Sequence, residues 1–391
     1  MRVGMMTSFS KPKELVKITS LISKNYGIEI VYFRPKDVNM EKATVNGQIY
    51  INNEWIETET EIPPFIDISP QLFRKKNRQV TEYLKRKTFL SDDRKNELKK
   101  RALQEKLSDD SKYSHLVLPT FRVTSYEDLK KRLDNFNKVV LKPSGGIQGK
   151  RIYVLEKKEQ EYLIGYRREE KYIGEEELRN FFDDILMNSG YLVQKYVSSR
   201  TAQGDPFDCR IHVEKNGNGE WESARNYIRI GIGQKIISNV NQGGGIADIK
   251  QFLKANFNDK WEKINKEIDR LAVTLPYKVE ELRGTHLMSL GIDVGIGKNG
   301  ELYVFEVNDG PATAAVISEV AYLRSNYFKY VLTHELGYDL DRNQTGQKKD
   351  KEILDNKDYR KEYNKIKQST SWRVTAPLRK LGSLSKKLKK K

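Results

Sequence analysis

The chain has 391 residues, 37% of them hydrophobic, and a formal net charge of +17. This length allows two or three domains with a sizeable core. No run approaches 18 apolar residues and the start lacks a cleavable apolar segment, which argues against a membrane-spanning helix and a signal peptide. The basic excess indicates an anionic partner.

The first part of the chain predicts a small α/β domain. Residues 2–8 read as a strand, 11–27 as a helix that stops at Gly27, and 28–35 as a second strand. Such a β-α-β opening is typical of a parallel sheet. Residues 44–57 predict a β-meander with turns at Asn46-Gly47 and Asn52-Asn53.

Further elements follow in a mixed α and β order. They comprise helices between 71 and 108, a strand or loop over 115–125, a helix over 126–136, strands within 138–158, 190–199, 205–232 and 235–248, a helical region 250–283, a hairpin 291–311 and a last helix from about Ala312 to Leu336. The single cysteine, Cys209, excludes an intrachain disulfide, fits a cytoplasmic protein and reads as a small core residue. We expect residues 341–391 to be a basic, loosely ordered extension.

A Gly-rich loop lies between two β-branched segments near residue 145. Gly145, Gly146 and Gly149 are flanked by apolar residues on both sides, and Lys142 ends the first of the two strands. Backbone N–H groups in such a loop can close on phosphates, and Lys142 would add a positive charge. The loop therefore predicts a flap over phosphates, although a purely structural hairpin is the competing interpretation.

Two later segments indicate a nucleotide or another anion. The strand 191–197 could offer backbone groups to an adenine edge, or be an ordinary half-buried strand. Asp208 and Arg210 share a strand face, and Arg229 follows on another strand. Ser238 and Asn239 precede three glycines. Two arginines near a Gly-rich turn suit a multiply charged anion, with salt-bridged surface strands as the alternative.

The hairpin 291–311 predicts a metal site. If Asn299-Gly300 is a two-residue turn, then Asp293 lies directly opposite Glu306. Like charges at such positions are destabilising, and a divalent cation between them would reverse the effect. Asn308 lies on the same face, so the three side chains offer the hard oxygen ligands that Mg²⁺ prefers.

This ordered set of residues resembles the ATP-grasp superfamily over about residues 95–330, and in detail the YheC/YheD group, whose name is linked to the endospore coat. The resemblance implies an α/β (α+β) fold in which two subdomains grip ATP, with a pre-ATP-grasp domain before them. We therefore expect domains at 1–94 and 95–340 and an extension at 341–391.

The resemblance also implies roles for individual residues, with ATP and two Mg²⁺ ions as cofactors. The residues implied in nucleotide binding are Lys142, Gly145, Gly146, Gly149, Gln194, Lys195, Tyr196, Val197, Asp208 and Asn239. Those implied in catalysis are Lys142, Arg210 and Arg229, and those implied in metal binding are Asp293, Glu306 and Asn308. The family has a second nucleotide-contacting lysine, for which Lys95, Lys99, Lys100 and Lys106 are all candidates.

The activity implied is ATP-dependent ligation of a carboxylate to an amine through an acyl-phosphate. Residues 369–381 resemble a tail motif of surface-polysaccharide glycosyltransferases, which favours a glycan carboxylate joined to an amino acid or amine. An amino acid or peptide ligase, and a non-catalytic ATP-binding coat protein, are the alternatives. The basic tail predicts a peripheral contact with a membrane surface or a polysaccharide-assembly partner, and nothing indicates nucleic-acid binding.

Overall fold

The computed structural model describes residues 1–94, 98, 100–144, 151–187, 190–234, 244–340, 365 and 368. Within these residues the strands form three sheets, of seven, six and five strands.

The first sheet is built from the N-terminal part of the chain. Its strands are β1 (Arg2–Met6), β2 (Glu29–Phe33), β3 (Val38–Asn39), β4 (Thr44–Ile51), β5 (Glu54–Glu61), β6 (Phe65–Ile68) and β7 (Phe89–Leu90), with helices α1 (Glu14–Ser23) and α2 (Arg78–Lys87). β1 pairs in parallel with β2 and β6, as the β-α-β pattern predicts.

One predicted turn in this sheet is right and one is wrong. Asn52 and Asn53 have positive φ angles of 49° and 66° and connect β4 to β5. Asn46-Gly47, in contrast, lies inside β4. A Cβ atom at Gly47 would come within 2.4 Å of Val31 Cγ1. This glycine therefore serves the close packing of β4 on β2 and does not reverse the chain.

The second sheet is antiparallel and lies in the order β12-β11-β10-β9-β13-β8. Its strands are β8 (Thr120–Arg122), β9 (Lys138–Pro143), β10 (Tyr153–Lys157), β11 (Tyr162–Tyr166), β12 (Glu169–Ile173) and β13 (Tyr191–Lys195); helices α3 (Lys100–Ser108), α4 (Tyr126–Phe136) and α5 (Glu175–Phe181) belong to this part of the chain. Ser125 caps α4 by accepting a hydrogen bond from the Asp128 N–H. β9 and β10 pair as the flanks of the Gly-rich loop were predicted to do.

The third sheet has the order β16-β15-β14-β17-β18. Its strands are β14 (Phe207–Lys215), β15 (Trp221–Ile230), β16 (Gly245–Asp248), β17 (Ser289–Ile296) and β18 (Leu302–Asp309). Helices α6 (Ile249–Phe257) and α7 (Trp261–Arg283) lie between β16 and β17, and α8 (Ile317–Tyr330) follows β18. The predicted helical region 250–283 is two helices, because the chain breaks at Asn258 with a φ of 44°. α8 begins at Ile317 and not at Ala312.

The two faces of the third sheet differ in polarity. Cys209, Ile211 and Ile292 belong to one apolar cluster with residues of α6 and α7. Cys209 is fully buried, as predicted, and burial raises the pKa of its thiol. The alternate residues of β14 point to the opposite face and are charged or polar: Asp208, Arg210, His212 and Glu214.

A buried arginine connects the first and third sheets. Arg324 on α8 donates to both Glu214 oxygens, at 3.1 Å each, and to Asp67 Oδ2 on β6 at 3.0 Å. α8 also packs along α1, where Ser23 donates to Ser325 at 3.0 Å. The N-terminal sheet is thereby attached to the polar face of the third sheet.

None of the helices in the described ranges is long and apolar enough to cross a membrane.

Candidate active site

The turn between β17 and β18 differs from the prediction. Gly297 N donates to Glu301 O at 2.8 Å, and Gly300 N donates to Gly297 O at 2.9 Å. Lys298, Asn299 and Gly300 therefore form a three-residue turn, and Gly300 has the positive φ of 93° that this geometry requires. The predicted two-residue turn at Asn299-Gly300 is wrong.

A β-bulge restores the predicted pairing farther along the hairpin. Val294 pairs with Val304, but the next pair is Asp293 with Glu306, so Phe305 is the extra residue on β18. Asp293 is therefore directly opposite Glu306, as predicted. Asn308 lies opposite Gly291 and two residues from Glu306, so it shares their face.

Asp293 on β17 is held by two arginines, Arg210 on β14 and Arg229 on β15. Arg210 donates through Nε to Asp293 Oδ1 and through Nη2 to Oδ2, the latter at 3.1 Å. Arg229 Nη2 lies 3.0 Å from Oδ1, and Asn308 Nδ2 donates to Oδ2 at 3.2 Å. Burial disfavours the charged carboxylate, but the arginines outweigh this effect and lower the pKa of Asp293. The expected repulsion between Asp293 and Glu306 is offset by these cations.

Asp208 orients the second arginine. Arg229 donates to both Asp208 oxygens, from Nε at 2.6 Å and from Nη2 at 2.7 Å. Burial favours the neutral guanidine, yet Asp208 and Asp293 raise the pKa of Arg229. Asp208, Arg210 and Asp293 are each only 7% exposed. The four predicted residues therefore form one buried, oriented ion-pair cluster, in contrast to the surface salt bridges of the alternative interpretation.

The oxygen donors that share Asp293 with this cluster suit a hard cation bound together with phosphates. Within the described ranges no group of three or more His, Cys, Asp or Glu side chains could hold a metal alone. Asp293, Glu306 and Asn308 supply two carboxylates and one amide from adjacent strands on one face. Such a partial oxygen set fits Mg²⁺, which takes its remaining ligands from water and substrate phosphates.

The predicted nucleotide residues on the second sheet lie on β9 and β13. Lys142 Nζ donates to Gln194 Oε1 at 3.2 Å. At the predicted adenine hinge, Lys195 N donates to Pro119 O at 3.0 Å and Tyr196 N to Lys138 O at 3.2 Å. Lys195 is exposed, whereas Tyr196 and Val197 are half-buried.

Several predicted residues lie outside the described residues. These are Gly145, Gly146 and Gly149 of the flap, Ser238, Asn239 and Gly243, the candidate lysines Lys95 and Lys99, the side chain of Lys100, and the tail motif at 369–381. Of the four candidate lysines, Lys106 has a described side chain, which is exposed on α3.

The sequence interpretation missed a second ionic cluster at the end of β18. Arg94 Nη1 donates to Asp309 Oδ2 at 2.6 Å, and Arg283 Nη1 lies 2.6 Å from Asp309 Oδ1. Arg94 Nε also lies 2.9 Å from Asp92 Oδ2. The sequence could have indicated Asp309 through its position directly after Asn308. No local sequence pattern could have indicated Arg94 and Arg283, which lie far from Asp309 in the chain.

A model of the YheC/D-like ATP-grasp family matches residues 94–333. The chain belongs to this family. The match contains all the candidate site residues of the second and third sheets. It confirms the resemblance inferred from the order of the motifs and the ATP-grasp fold expected from it.

Two curated relatives are similar to this chain, and one solved structure shares its fold. The endospore coat-associated protein YheC of Bacillus subtilis (strain 168) is 22% identical over 308 residues, which cover 75% of this chain and 83% of YheC. YheD of the same organism is 23% identical over 299 residues, 71% of this chain, and the match spans 63% of YheD, less than two thirds of its length. The ATP-grasp ligase PsnB, solved with precursor peptide PsnA2 and AMPPNP, has 11% identity and a TM-score of 0.51, with coverages of 84% and 98%. This likeness shows a shared fold.

Proposed function

We propose that the protein is an ATP-dependent carboxylate–amine ligase that forms an amide through an acyl-phosphate. The observation that carries the proposal is the placement of Asp293, Glu306 and Asn308 on one sheet face, with Arg210 and Arg229 oriented on Asp293. Hard oxygen donors beside two fixed guanidinium groups match the needs of phosphoryl transfer, in which positioning and charge stabilisation dominate.

The residues divide into a nucleotide-binding and a transfer group. Lys142 would hold the ATP phosphates, and the backbone of the hinge around Lys195–Val197 would contact the adenine. Asp293, Glu306 and Asn308 would hold Mg²⁺, which when bound neutralises phosphate charge and orients the transferred group. The ATP requirement is supported by PsnB, which was solved with AMPPNP, and the Mg²⁺ requirement by the oxygen donors of the candidate metal site.

The reaction has two steps. In the first, a substrate carboxylate oxygen attacks the γ-phosphorus of ATP, the bond to the β-phosphate oxygen breaks, and ADP leaves. In the second, a neutral amine attacks the acyl carbon, the carbon–oxygen bond to phosphate breaks, and the amine proton is lost. Arg210 and Arg229 would stabilise the charge that develops on the transferred group, since guanidinium groups match phosphate oxygens in geometry and charge.

The acid and amine are proposed from different observations. The tail motif at 369–381 favours a sugar carboxylate, such as a uronic acid, joined to an amino acid or amine in cell-surface glycan synthesis. The shared fold with PsnB, whose structure contains a precursor peptide, supports an amino acid or peptide carboxylate as the second candidate.

Phosphate release from ATP and Mg²⁺ in the presence of paired acids and amines tests the proposal. The panel contains uronic acids, amino acids and short peptides, and mass spectrometry identifies an amide product. Release that requires both an acid and an amine, and that is absent in Glu306→Gln, supports a ligase. Nucleotide binding without stimulated release across the panel would instead favour an ATP-binding protein that does not catalyse ligation.

A further inference from the structure

We infer that Thr120 and Gln194 form a relay that positions the ammonium group of Lys142, so that both act as positioning residues for nucleotide binding. The inference rests on the proposed function in one respect, namely that Lys142 holds ATP phosphates. It assigns to the Gln194 side chain a role separate from the backbone contacts expected at the adenine hinge.

The relay crosses three adjacent strands of the second sheet. Gln194 on β13 pairs with Thr120 on β8 and with Val140 on β9. Lys142 is two residues beyond Val140 and therefore lies diagonally from Gln194 on the same face. The opposite face carries Val139, Leu141 and Val193, which are fully buried among the residues of α4 and α5. The relay is thus on the face turned away from that core.

The hydrogen bonds determine the orientation of the Gln194 amide. Thr120 Oγ1 donates to Leu118 O at 2.9 Å, so its single hydrogen is used. Toward Gln194 this hydroxyl can therefore only accept, and it does so from Nε2 at 2.9 Å. The amide must then present Oε1 to Lys142, whose Nζ donates to it at 3.2 Å.

The contact with Gln194 localises a flexible cation and does not itself neutralise it. A lysine ammonium lies at the end of a four-carbon stem with many rotamers. A carboxylate partner would compete with phosphate for the charge of Lys142, whereas the neutral oxygen of the Gln194 amide adds no negative charge of its own. Gln194 is 4% exposed, so a reoriented amide would leave a buried polar group poorly bonded.

A double-mutant cycle on ADP binding tests the relay. Thr120→Val removes the acceptor with little change in shape, and Thr120→Ser keeps it. The same two substitutions are made in a Lys142→Ala background, and the dissociation constant of ADP with Mg²⁺ is measured by calorimetry for each protein. Thr44→Val on β4 is the matched control, since the Thr44 hydroxyl donates to Glu59 at 3.0 Å in the N-terminal sheet.

We expect Thr120→Val to weaken ADP binding about tenfold, because the Gln194 amide loses its fixed orientation and with it the hydrogen bond that holds the charged ammonium of Lys142. The dissociation constant of ADP for Thr120→Ser and for Thr44→Val should stay within about twofold of the value for the unmodified protein. In the Lys142→Ala background Thr120→Val should have no further effect, because a residue that acts only through Lys142 is not additive with its loss. Gln194→Met, which lacks the acceptor, should behave like Thr120→Val and serves if that variant does not fold.

Two results would overturn the relay while the proposed function stands. One is unchanged ADP binding in Thr120→Val and Gln194→Met. The other is an equal loss of ADP affinity on Thr120→Val with and without Lys142→Ala, which would indicate a general structural role for Thr120. An unmodified protein that does not bind ADP at all would overturn the relay and the proposed ligase together, and the two kinds of failure are therefore distinguishable.

Discussion

Asp293 and Glu306 face each other across β17 and β18 because a bulge at Phe305 compensates for a three-residue turn. Without the bulge the register set by the turn would place Phe305 opposite Asp293, and Glu306 would point to the other face. The Phe305 ring occupies the space above Gly295, where a Cβ atom would come within 2.0 Å of Phe305 Cζ. The geometry of the candidate metal site therefore depends on a glycine and an aromatic ring outside it.

Gly295→Ala should disturb this bulge. The added methyl group forces the Phe305 ring to move, and we expect a loss of about 1–3 kcal/mol in the free energy of unfolding, measured in urea. Gly297→Ala is the matched control, because its Cβ would meet the flexible end of Glu301 at 2.8 Å. It should cost less than about 0.5 kcal/mol. Equal losses in the two variants would show that the ring packing does not support the bulge.

Glu306→Gln should impair ligand binding and turnover but leave the stability of the ligand-free protein unchanged. Since Asp293 is already held by Arg210 and Arg229, the ligand-free variant should melt near the temperature of the unmodified protein. Saturating ADP and Mg²⁺ adds about 2.7 kcal/mol to stability at 100 times the dissociation constant. The variant should lose most of this gain and all turnover.

The control for Glu306→Gln is Glu301→Gln, a substitution at an exposed position of the same hairpin. It should keep both the ligand-induced gain and turnover. Turnover of Glu306→Gln near the unmodified rate would mean that this carboxylate is structural, and the proposed mechanism would be wrong.

Asp208→Asn should lower turnover with little effect on nucleotide affinity. Both Asp208 oxygens accept from Arg229, so the carboxylate orients an arginine in this structure. Loss of that orientation should reduce the ligation rate by about 10- to 100-fold, and ADP affinity should stay within about twofold. A comparable fall in ADP affinity would instead support the direct nucleotide contact implied by the family resemblance.

Arg324→Met should strongly destabilise the protein at neutral pH. The substitution leaves Glu214 and Asp67 buried without their shared cation, and breaking such a pair costs about 3–5 kcal/mol. Arg2→Met, which removes a partly exposed pair with Glu29, should cost less than about 1 kcal/mol. Similar losses in the two variants would show that the buried pairs are energetically unimportant.

The cost of Arg324→Met should also depend on pH. Burial raises the pKa of Asp67; it acts in the same sense on Glu214, but Arg324 and His212 outweigh it and lower the pKa of Glu214. Ionised Glu214 therefore contributes to the free energy of unfolding above the ordinary carboxyl pKa, and this contribution is lost as the pH falls below that value. In the variant Arg324 no longer opposes the effect of burial on the Asp67 and Glu214 carboxylates. Protonation of these groups at lower pH then removes their unpaired charge. The difference in unfolding free energy should shrink from pH 8 toward about pH 4.5.

Deletion of residues 369–391 should abolish sedimentation with anionic liposomes and leave ligation in solution intact. Leu378, Leu381, Leu384 and Leu388 recur at near-helical spacing among many basic residues. Each basic residue near an anionic surface adds about 1 kcal/mol of attraction. Replacement of Lys386, Lys387 and Lys389 to Lys391 by glutamine keeps the leucines and should abolish sedimentation at physiological salt. Unchanged sedimentation of the truncated protein would exclude the tail as a membrane contact and favour a protein partner for it.

Local patterns predicted many elements because their causes are local. The helix over 126–136 follows from its Ser125 cap and apolar spacing, and the parallel β-α-β opening follows from alternating periodicities. The Asn46-Gly47 turn failed because Gly47 packs on Val31, a contact between strands that the local signal does not contain. The pairing of Asp293 with Glu306 was predicted correctly from an incorrect turn, since the bulge shifts the register back by one residue.

The sequence by itself determined which chemical groups the candidate site contains. It also determined that Glu306 and Asn308 share a strand face, because side chains alternate along any strand. Only the tertiary structure decided that Arg210 and Arg229 both hold Asp293, that Thr120 orients Gln194, and that Arg94 and Arg283 hold Asp309. Each of these contacts joins residues that lie far apart in the chain. Strand order and register bring the first three pairs together. The packing of the loop after β7 and of the end of α7 against β18 brings Arg94 and Arg283 to Asp309.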